Sequence, residues 1–355
     1  MRVALTGGGT GGHIIPNIAV IEELRDKPKM EILCIGSHEG PEKMMMKNLG
    51  VKYLSISCGK FRRYFSLLNV ADFFKIFAGI FQALKILKSF SPDVVFSKGG
   101  YISFPVVLAA KILRIPIVAH ESDLSPGLSN KLAFRFAKTI CVSFEETKKY
   151  IKKSLREKIV VTGNPIRKSI LNGDKDRGYK FTGFNKFRPV ILVMGGSQGA
   201  RQINNLVRQN LDEILKKFQI VHLCGKGNLD IGIHKNGYAQ YEYLNEQLKD
   251  IYAISEIVIS RGGANSLFEL AILKKKVLII PLSFEGSRGE QITNAKFFSN
   301  KFGWSVISGG ISKKEFIENI EFAFKNEMNK TGSIKNGTQE IVKIITNIAK
   351  WKLII

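Results

Sequence analysis

One pattern, repeated along this chain, limits its fold more than any other feature. An apolar run suited to a strand ends in clustered glycines, and a segment with helical apolar spacing follows at once. Val3 to Leu5 leads into Thr6-Gly7-Gly8-Gly9-Thr10-Gly11-Gly12-His13; Ile18, Val20, Ile21 and Leu24 then keep helical spacing, and Pro16 stands where a first helical turn accepts proline. Val190 to Met194 leads into Gly195-Gly196-Ser197-Gln198-Gly199-Ala200, with a helix expected from about Arg201. Ile257 to Ile259 breaks into Ser260-Arg261-Gly262-Gly263, with a helix expected over Ala264 to Leu273. Strand, tight turn and helix in that order build parallel sheets covered by helices. The restart in the second half predicts an α/β protein of two doubly wound, Rossmann-like domains. The 355 residues suit two cores of about 150 to 180 residues each. The expected division is 1–163, 164–335 and a last helix, 336–355, returning to the first domain. The polar, lysine-rich stretch from Lys168 to Lys186 reads as the link.

Glycine turns of this kind aim backbone N–H groups at an anion, and the helix N-terminus adds partial positive charge. In the third of them Asn265 or Ser266 can cap the helix, and Glu269, about one turn in, is expected at the same mouth to accept from sugar hydroxyls. The strand Val277 to Ile280 ends at Pro281 and opens a loop expected to carry Glu290, Gln291 and Asn294. These groups would gather at the carboxyl ends of parallel strands, where open α/β sheets bind ligands. A nucleotide site and a merely tight helix–sheet packing both fit such glycines. The first loop contains G-x-G-x-x-G (Gly7, Gly9, Gly12), but a dinucleotide site also wants an acid at the end of the second strand, and Glu31 to Ile35 ends in Gly36-Ser37. Nicotinamide and flavin are therefore disfavoured. His13 is placed either for proton transfer or as a helix cap. Ser97 to Tyr101, His120 to Asp123 and Gly163 to Arg167 are further strand-end loops that would line one side of a cleft. Asp174-Lys175-Asp176 has the look of a metal-binding D-x-D, yet no strand precedes it, so a solvated loop is expected.

Charge and hydropathy bound the partners. Lys and Arg number 54 against 30 Asp and Glu, a net charge of +24, which attracts a polyanion: nucleic acid, an acidic membrane surface or a phosphorylated substrate. The four cysteines (Cys34, Cys58, Cys141, Cys224) have no C-x-x-C spacing and read as free thiols in a reducing compartment. No run of about 18 apolar residues occurs and no signal peptide opens the chain, so a cytoplasmic protein is expected. Between Phe61 and Lys88, Phe73, Phe77, Ile80, Leu84 and Leu87 form one helical stripe, expected to be the core face. Phe74 and Phe81 stand beside it with Arg62, Arg63, Lys75 and Lys85 nearby. That flank suits the headgroup boundary of an anionic bilayer or a helix with a wide buried face.

Taken together, GGTGGHIIP (Gly8 to Pro16), KGGYISFP (Lys98 to Pro105), HESDLSPGLSNK (His120 to Lys131), GNPIR (Gly163 to Arg167), GGSQGARQIN (Gly195 to Asn204), SRGGANSLFEL and EQITNA resemble the MurG family through nearly the whole chain. That family transfers N-acetylglucosamine from UDP-GlcNAc to the undecaprenyl-linked acceptor lipid I, making lipid II for peptidoglycan. The resemblance implies a glycosyltransferase of the B type, two domains facing a cleft, peripheral on the cytoplasmic face of the inner membrane, with no cofactor, no metal and no nucleic-acid partner. Carried onto this sequence it implies His13 as general base, oriented by Glu121. It implies donor contacts at Thr10, Gly11, Gly12, Arg167, Ser197, Leu244 against uracil, Ala264, Asn265, Ser266, Leu267, Phe268, Glu269 and Gln291. Asp123 stands where the family usually has Asn, and Ser122 where it has Gln. Asp keeps the acceptor oxygens but loses the amide donor and adds charge at a sugar contact.

Overall fold

The computed structural model describes residues 1–59, 68–196, 199–282, 289–308, 310, 312–326 and 334–351. They form two compact units, Met1–Arg167 with Lys335–Ile355, and Lys168–Ile334. The first unit alternates strand and helix: β1 (Arg2–Thr6), α1 (Gly11–Arg25), β2 (Glu31–Ser37), α2 (Pro41–Asn48), β3 (Lys52–Ile56), α3 (Leu68–Phe90), β4 (Val94–Ser97), α4 (Ser103–Ile112), β5 (Ile117–Glu121), α5 (Leu128–Phe136), β6 (Thr139–Val142) and β7 (Ile159–Val161). Its strands are parallel in the order β3-β2-β1-β4-β5-β6-β7. Alternate residues go to opposite faces, so Ala4, Val95, Ile117 and Ala119 face one core with residues of α3, α4 and α5. Val3, Leu5, Phe96 and Val118 face the other, with residues of α1. The chain leaves β1 for β2 on one side and reaches β4 on the other, so a crevice opens at the carboxyl ends of β1 and β4.

The second unit continues with α6 (Lys175–Thr182), β8 (Val190–Met194), α7 (Arg201–Gln209), α8 (Leu211–Leu215), β9 (Gln219–Leu223), β10 (Tyr238–Tyr241), α9 (Leu248–Ile254), β11 (Ser255–Ser260), α10 (Ala264–Ile272), β12 (Lys276–Ile279), α11 (Glu290–Phe302), β13 (Ser305–Val306) and α12 (Lys313–Lys325). Its parallel order, β10-β9-β8-β11-β12-β13, repeats the plan, with the reversal between β8 and β11. Both units are Rossmann-like. The last helix, α13 (Thr338–Trp351), belongs to the first unit and buries Ile341, Val342 and Ile345 in the core that holds Leu5 and Phe96.

Several details depart from the sequence reading. Residues 164–167 stay with the first unit, because Gly337 donates to the Asn164 carbonyl (2.9 Å) and the Ile166 amide to Thr338 Oγ1 (2.9 Å). The stretch read as a link contains α6, whose N-cap Asp174 accepts from the Arg177 amide (2.7 Å); one acid of the D-x-D is thus a helix cap. Pro16 lies inside α1, beyond its first turn. Glu290, Gln291 and Asn294 lie on α11, not in a loop. On α3, Phe73 and Phe77 are 51% and 47% exposed and are not part of the core face. Of that expected face Leu87 is buried and Leu84 packs partly buried on the core, and Ile76, Gly79 and Ala83 are buried with them. Gly79 explains the choice: a Cβ there would meet the Ser57 carbonyl at 2.1 Å, so the helix approaches the sheet through its small residues and turns its rings outward.

Candidate active site

In the first unit the crevice is built by the loops after β1 and β4. Thr10 is the N-cap of α1, in extended conformation and with no side-chain cap bond, and His13 lies within the first helical turn, donating its amide to the Thr10 carbonyl (3.0 Å). His13 is therefore not the cap. Its ring Nδ1 is 3.3 Å from the Lys98 carbonyl, which can only accept, so Nδ1 carries the proton and Nε2 is the basic nitrogen of the neutral ring. The ring packs against Gly100, whose φ of +85° already favours glycine and where a Cβ would sit 3.0 Å from His13 Cδ2. Thr10 and Gly12 are exposed, while Gly11 and His13 are half-buried.

Glu121, at the end of β5, is buried and engaged. Its Oε1 accepts from the Asp123 amide (2.9 Å), and its Oε2 from the Gly127 amide (3.1 Å) and Asn130 Nδ2 (2.9 Å). Those bonds hold the loop between β5 and α5, and the Lys98 carbonyl is a contact of the His13 ring. Lys98 itself is 1% exposed. Burial pushes its ammonium below the ordinary lysine range, opposed by the Glu121 and Asp123 carboxylates. Burial likewise holds His120 well below the ordinary histidine value, helped by Lys98, and its Nε2 pairs with the Gly163 carbonyl (3.2 Å). Ser122 does not present itself to a ligand: its hydroxyl donates to the buried Asn164 Oδ1 (2.6 Å). Asp123 and Arg167 are half-buried at the ends of neighbouring loops.

In the second unit α10 starts directly after β11, across the Gly262-Gly263 turn. Gly263 is the N-cap of α10, so Asn265 and Ser266 lie inside the helix and not at the capping position expected of them. The amides of a first helical turn, with the macrodipole, suit a phosphate. Gly262 permits this by close packing, since a Cβ would meet the Gln291 carbonyl at 2.3 Å. Asn294 Nδ2 donates to the Gly262 carbonyl (3.1 Å), and Gln291 Oε1 accepts from the Leu282 amide (3.1 Å). Asn265 and Ser266 are half-buried, but Ala264, Leu267 and Phe268 turn into the core and have backbone to offer. Glu269 is 5% exposed, deeper than the mouth position expected, with Tyr252 Oη donating to its Oε2 at 3.5 Å. Leu244 is buried in the segment after β10. Ser197 lies outside the described residues.

Two participants escaped the sequence reading. The Lys98 backbone carbonyl carries no residue-type signal. Glu42, on α2, accepts from the Gly9 amide (3.1 Å) and so reaches into the first glycine loop from 33 positions away; an acid just after Gly40-Pro41 looks like an ordinary helix start.

Comparison with known proteins bears on both units. Residues 3–142 match the glycosyltransferase family 28 N-terminal domain and residues 190–348 its C-terminal domain. The UDP-N-acetylglucosamine--N-acetylmuramyl-(pentapeptide) pyrophosphoryl-undecaprenol N-acetylglucosamine transferase of Clostridium tetani is 46% identical over 352 residues, 97% of this chain and 97% of that one. The Clostridium botulinum enzyme of the same name is 46% identical over 358 residues, covering 98% and 99%. Among solved structures, Acinetobacter baumannii MurG has a TM-score of 0.71 at 24% identity, covering 98% of this chain and 99% of that one. The Neisseria meningitidis UDP-GlcNAc 2-epimerase bound to UDP-GlcNAc has 0.65 at 18% identity, covering 98% and 99%. At those identities the structures speak to the fold.

Proposed function

The chain belongs to glycosyltransferase family 28, and from that premise we propose that it moves N-acetylglucosamine from UDP-GlcNAc to undecaprenyl-diphosphate-MurNAc-pentapeptide, lipid I, yielding lipid II. What carries the reading is 46% identity to the Clostridium tetani transferase across 97% of both chains.

The reaction is a single displacement with inversion. His13 Nε2 takes the proton of the acceptor hydroxyl as that oxygen attacks the anomeric carbon, with the Lys98 carbonyl fixing the tautomer. Glu121 supports this by holding the loop that carries Asp123, its carboxylate being occupied by three N–H donors. Negative charge develops on the departing UDP. The first turn of α10, Gly263 to Ser266, meets that charge; the family resemblance adds Arg167, Ser197 and the backbone at Thr10, Gly11 and Gly12 as donor contacts. Glu269 and Gln291 hold the ribose end and Leu244 lies against uracil. No described helix is long and apolar enough to cross a membrane. The enzyme reaches its lipid-anchored acceptor as a peripheral protein on the cytoplasmic face, serving cell-wall synthesis and with it cell shape and division.

The test is an assay of labelled UDP-GlcNAc with a short-chain lipid I analogue, with diacylglycerol and with DNA binding run in parallel. Transfer to the lipid I analogue alone is the expected result. Transfer to diacylglycerol instead would make this a glycolipid synthase, and DNA binding without transfer would sink the enzyme reading.

A further inference from the structure

A glycine loop between a strand and a helix N-terminus is a place where an anion is ordinarily held by backbone amides. In the first unit that place is filled by the protein itself. Glu42, 2% exposed in the first turn of α2, sends its Oε2 to the Gly9 amide (3.1 Å). Its Oε1 accepts from the Ser37 amide (3.0 Å) and the Ser37 hydroxyl. Ser37 is fixed in turn, its carbonyl accepting from Tyr53 Oη (2.6 Å). Glycines close around the carboxylate: a Cβ on Gly8 would lie 2.7 Å from Glu42 Cδ, one on Gly36 2.9 Å from Cγ, and one on Gly40 2.1 Å from Oε1. A Cβ at any of the three would push the carboxylate from this place, so the glycines leave it its room.

The loop so held leads straight to His13. Gly9 has φ +84° and packs against Tyr101, where a Cβ would meet Cε1 at 2.5 Å. The Gly8 carbonyl and the His13 ring both pack against Gly100. Moving Gly9 therefore moves the wall on which the imidazole rests. The geometry points to Glu42 as a positioning residue: a resident carboxylate that stands in for a bound anion in the first glycine loop and fixes the path that presents His13. A substrate phosphate is correspondingly kept off the Gly9 amide, by occupancy and by like charge.

This inference rests on His13 as base, so His13→Ala is measured beside Glu42→Gln and Glu42→Ala, all in the full chain with UDP-GlcNAc and a short-chain lipid I analogue. Glu42→Gln keeps the shape but loses the charge-assisted acceptor pair; its kcat should fall by about a hundredfold, the scale of a misplaced catalytic group, with KM for UDP-GlcNAc unchanged. In Glu42→Ala, formate entering the vacated cradle should restore part of the turnover, and should do nothing for His13→Ala. A merely structural loss would raise KM, lower the Tm and ignore formate, and that result overturns the inference. Slow His13→Ala with normal Glu42→Gln overturns it while sparing the base assignment. Normal turnover in His13→Ala overturns the base assignment itself.

Discussion

His13 owes its proposed role to one backbone oxygen. A histidine in the first turn of a helix could serve as a cap, but Thr10 takes the cap position and the imidazole turns to the Lys98 carbonyl instead. That bond costs the ring one nitrogen and defines the other as a base, so the residue needs no carboxylate partner to choose its tautomer. Glu121 serves as a support, because its carboxylate already accepts from three N–H donors that hold the loop after β5. His13→Ala should accordingly lower kcat by about a hundredfold or more. Calorimetric titration should find UDP affinity unchanged. Near-normal turnover would move the base elsewhere, with Asp123 the next residue to examine.

Among the elements, the start of α13 carries the most consequence for its size. Thr338, buried, accepts from the Ile166 amide at 2.9 Å and lies 3.1 Å from the Ile166 carbonyl, clamping the peptide that precedes Arg167. If Arg167 meets the donor diphosphate, a loose clamp should weaken the donor and not the acceptor. Thr338→Val keeps the shape and deletes the hydroxyl; KM for UDP-GlcNAc should rise about fivefold, ~1 kcal/mol, with acceptor KM unchanged. Thr338→Ser should restore the donor KM; a Thr338→Ser as weak as Thr338→Val would argue for methyl packing instead. Such clamps were invisible in the sequence, whereas the strands and glycine turns were plain in it. The difference lies in what each signal depends on. Val3 to Leu5 followed by Gly7, or Ile257 to Ile259 followed by Gly262, is a local pattern that the backbone obeys wherever it is placed. The reach of Glu42 to Gly9, of Asn294 to Gly262 and of Thr338 to Ile166 spans 33, 32 and 172 positions, and is set only when the sheet brings strand ends together. The α3 face was legible only in part: Leu84 and Leu87 do pack on the core, but at Phe73 and Phe77 bulk was read as burial, and the sheet took the side of Gly79 and Ala83.

On the scale of the whole molecule, a net charge of +24 and the outward rings of α3 describe one property. Phe73, Phe74, Phe77 and Phe81 are 51%, 67%, 47% and 64% exposed. At about 100° per residue they share one arc roughly 100° wide. Phe73 touches Phe74 at 6.0 Å and Phe77 at 4.7 Å between ring centroids, so the rings form a patch and not scattered exceptions. Contiguous aromatic surface of this kind on a soluble face is unfavourable unless something covers it. Lys75 and Lys85 are exposed on the same helix; Arg62 and Arg63 lie outside the described residues. An acyl boundary suits the rings, and each nearby cation adds about 1 kcal/mol of attraction to an anionic surface. Replacing Phe74 and Phe81 together by serine should therefore reduce binding to anionic vesicles and turnover of a membrane-embedded acceptor. The same variant should act normally on a water-soluble short-chain acceptor. Because both rings are exposed, the substitutions should shift stability by no more than about 0.5 kcal/mol each, and the melting temperature should hold. Equal loss on both acceptors with a lowered melting temperature would mean the rings support the fold, and the docking surface would have to be sought elsewhere on the first unit.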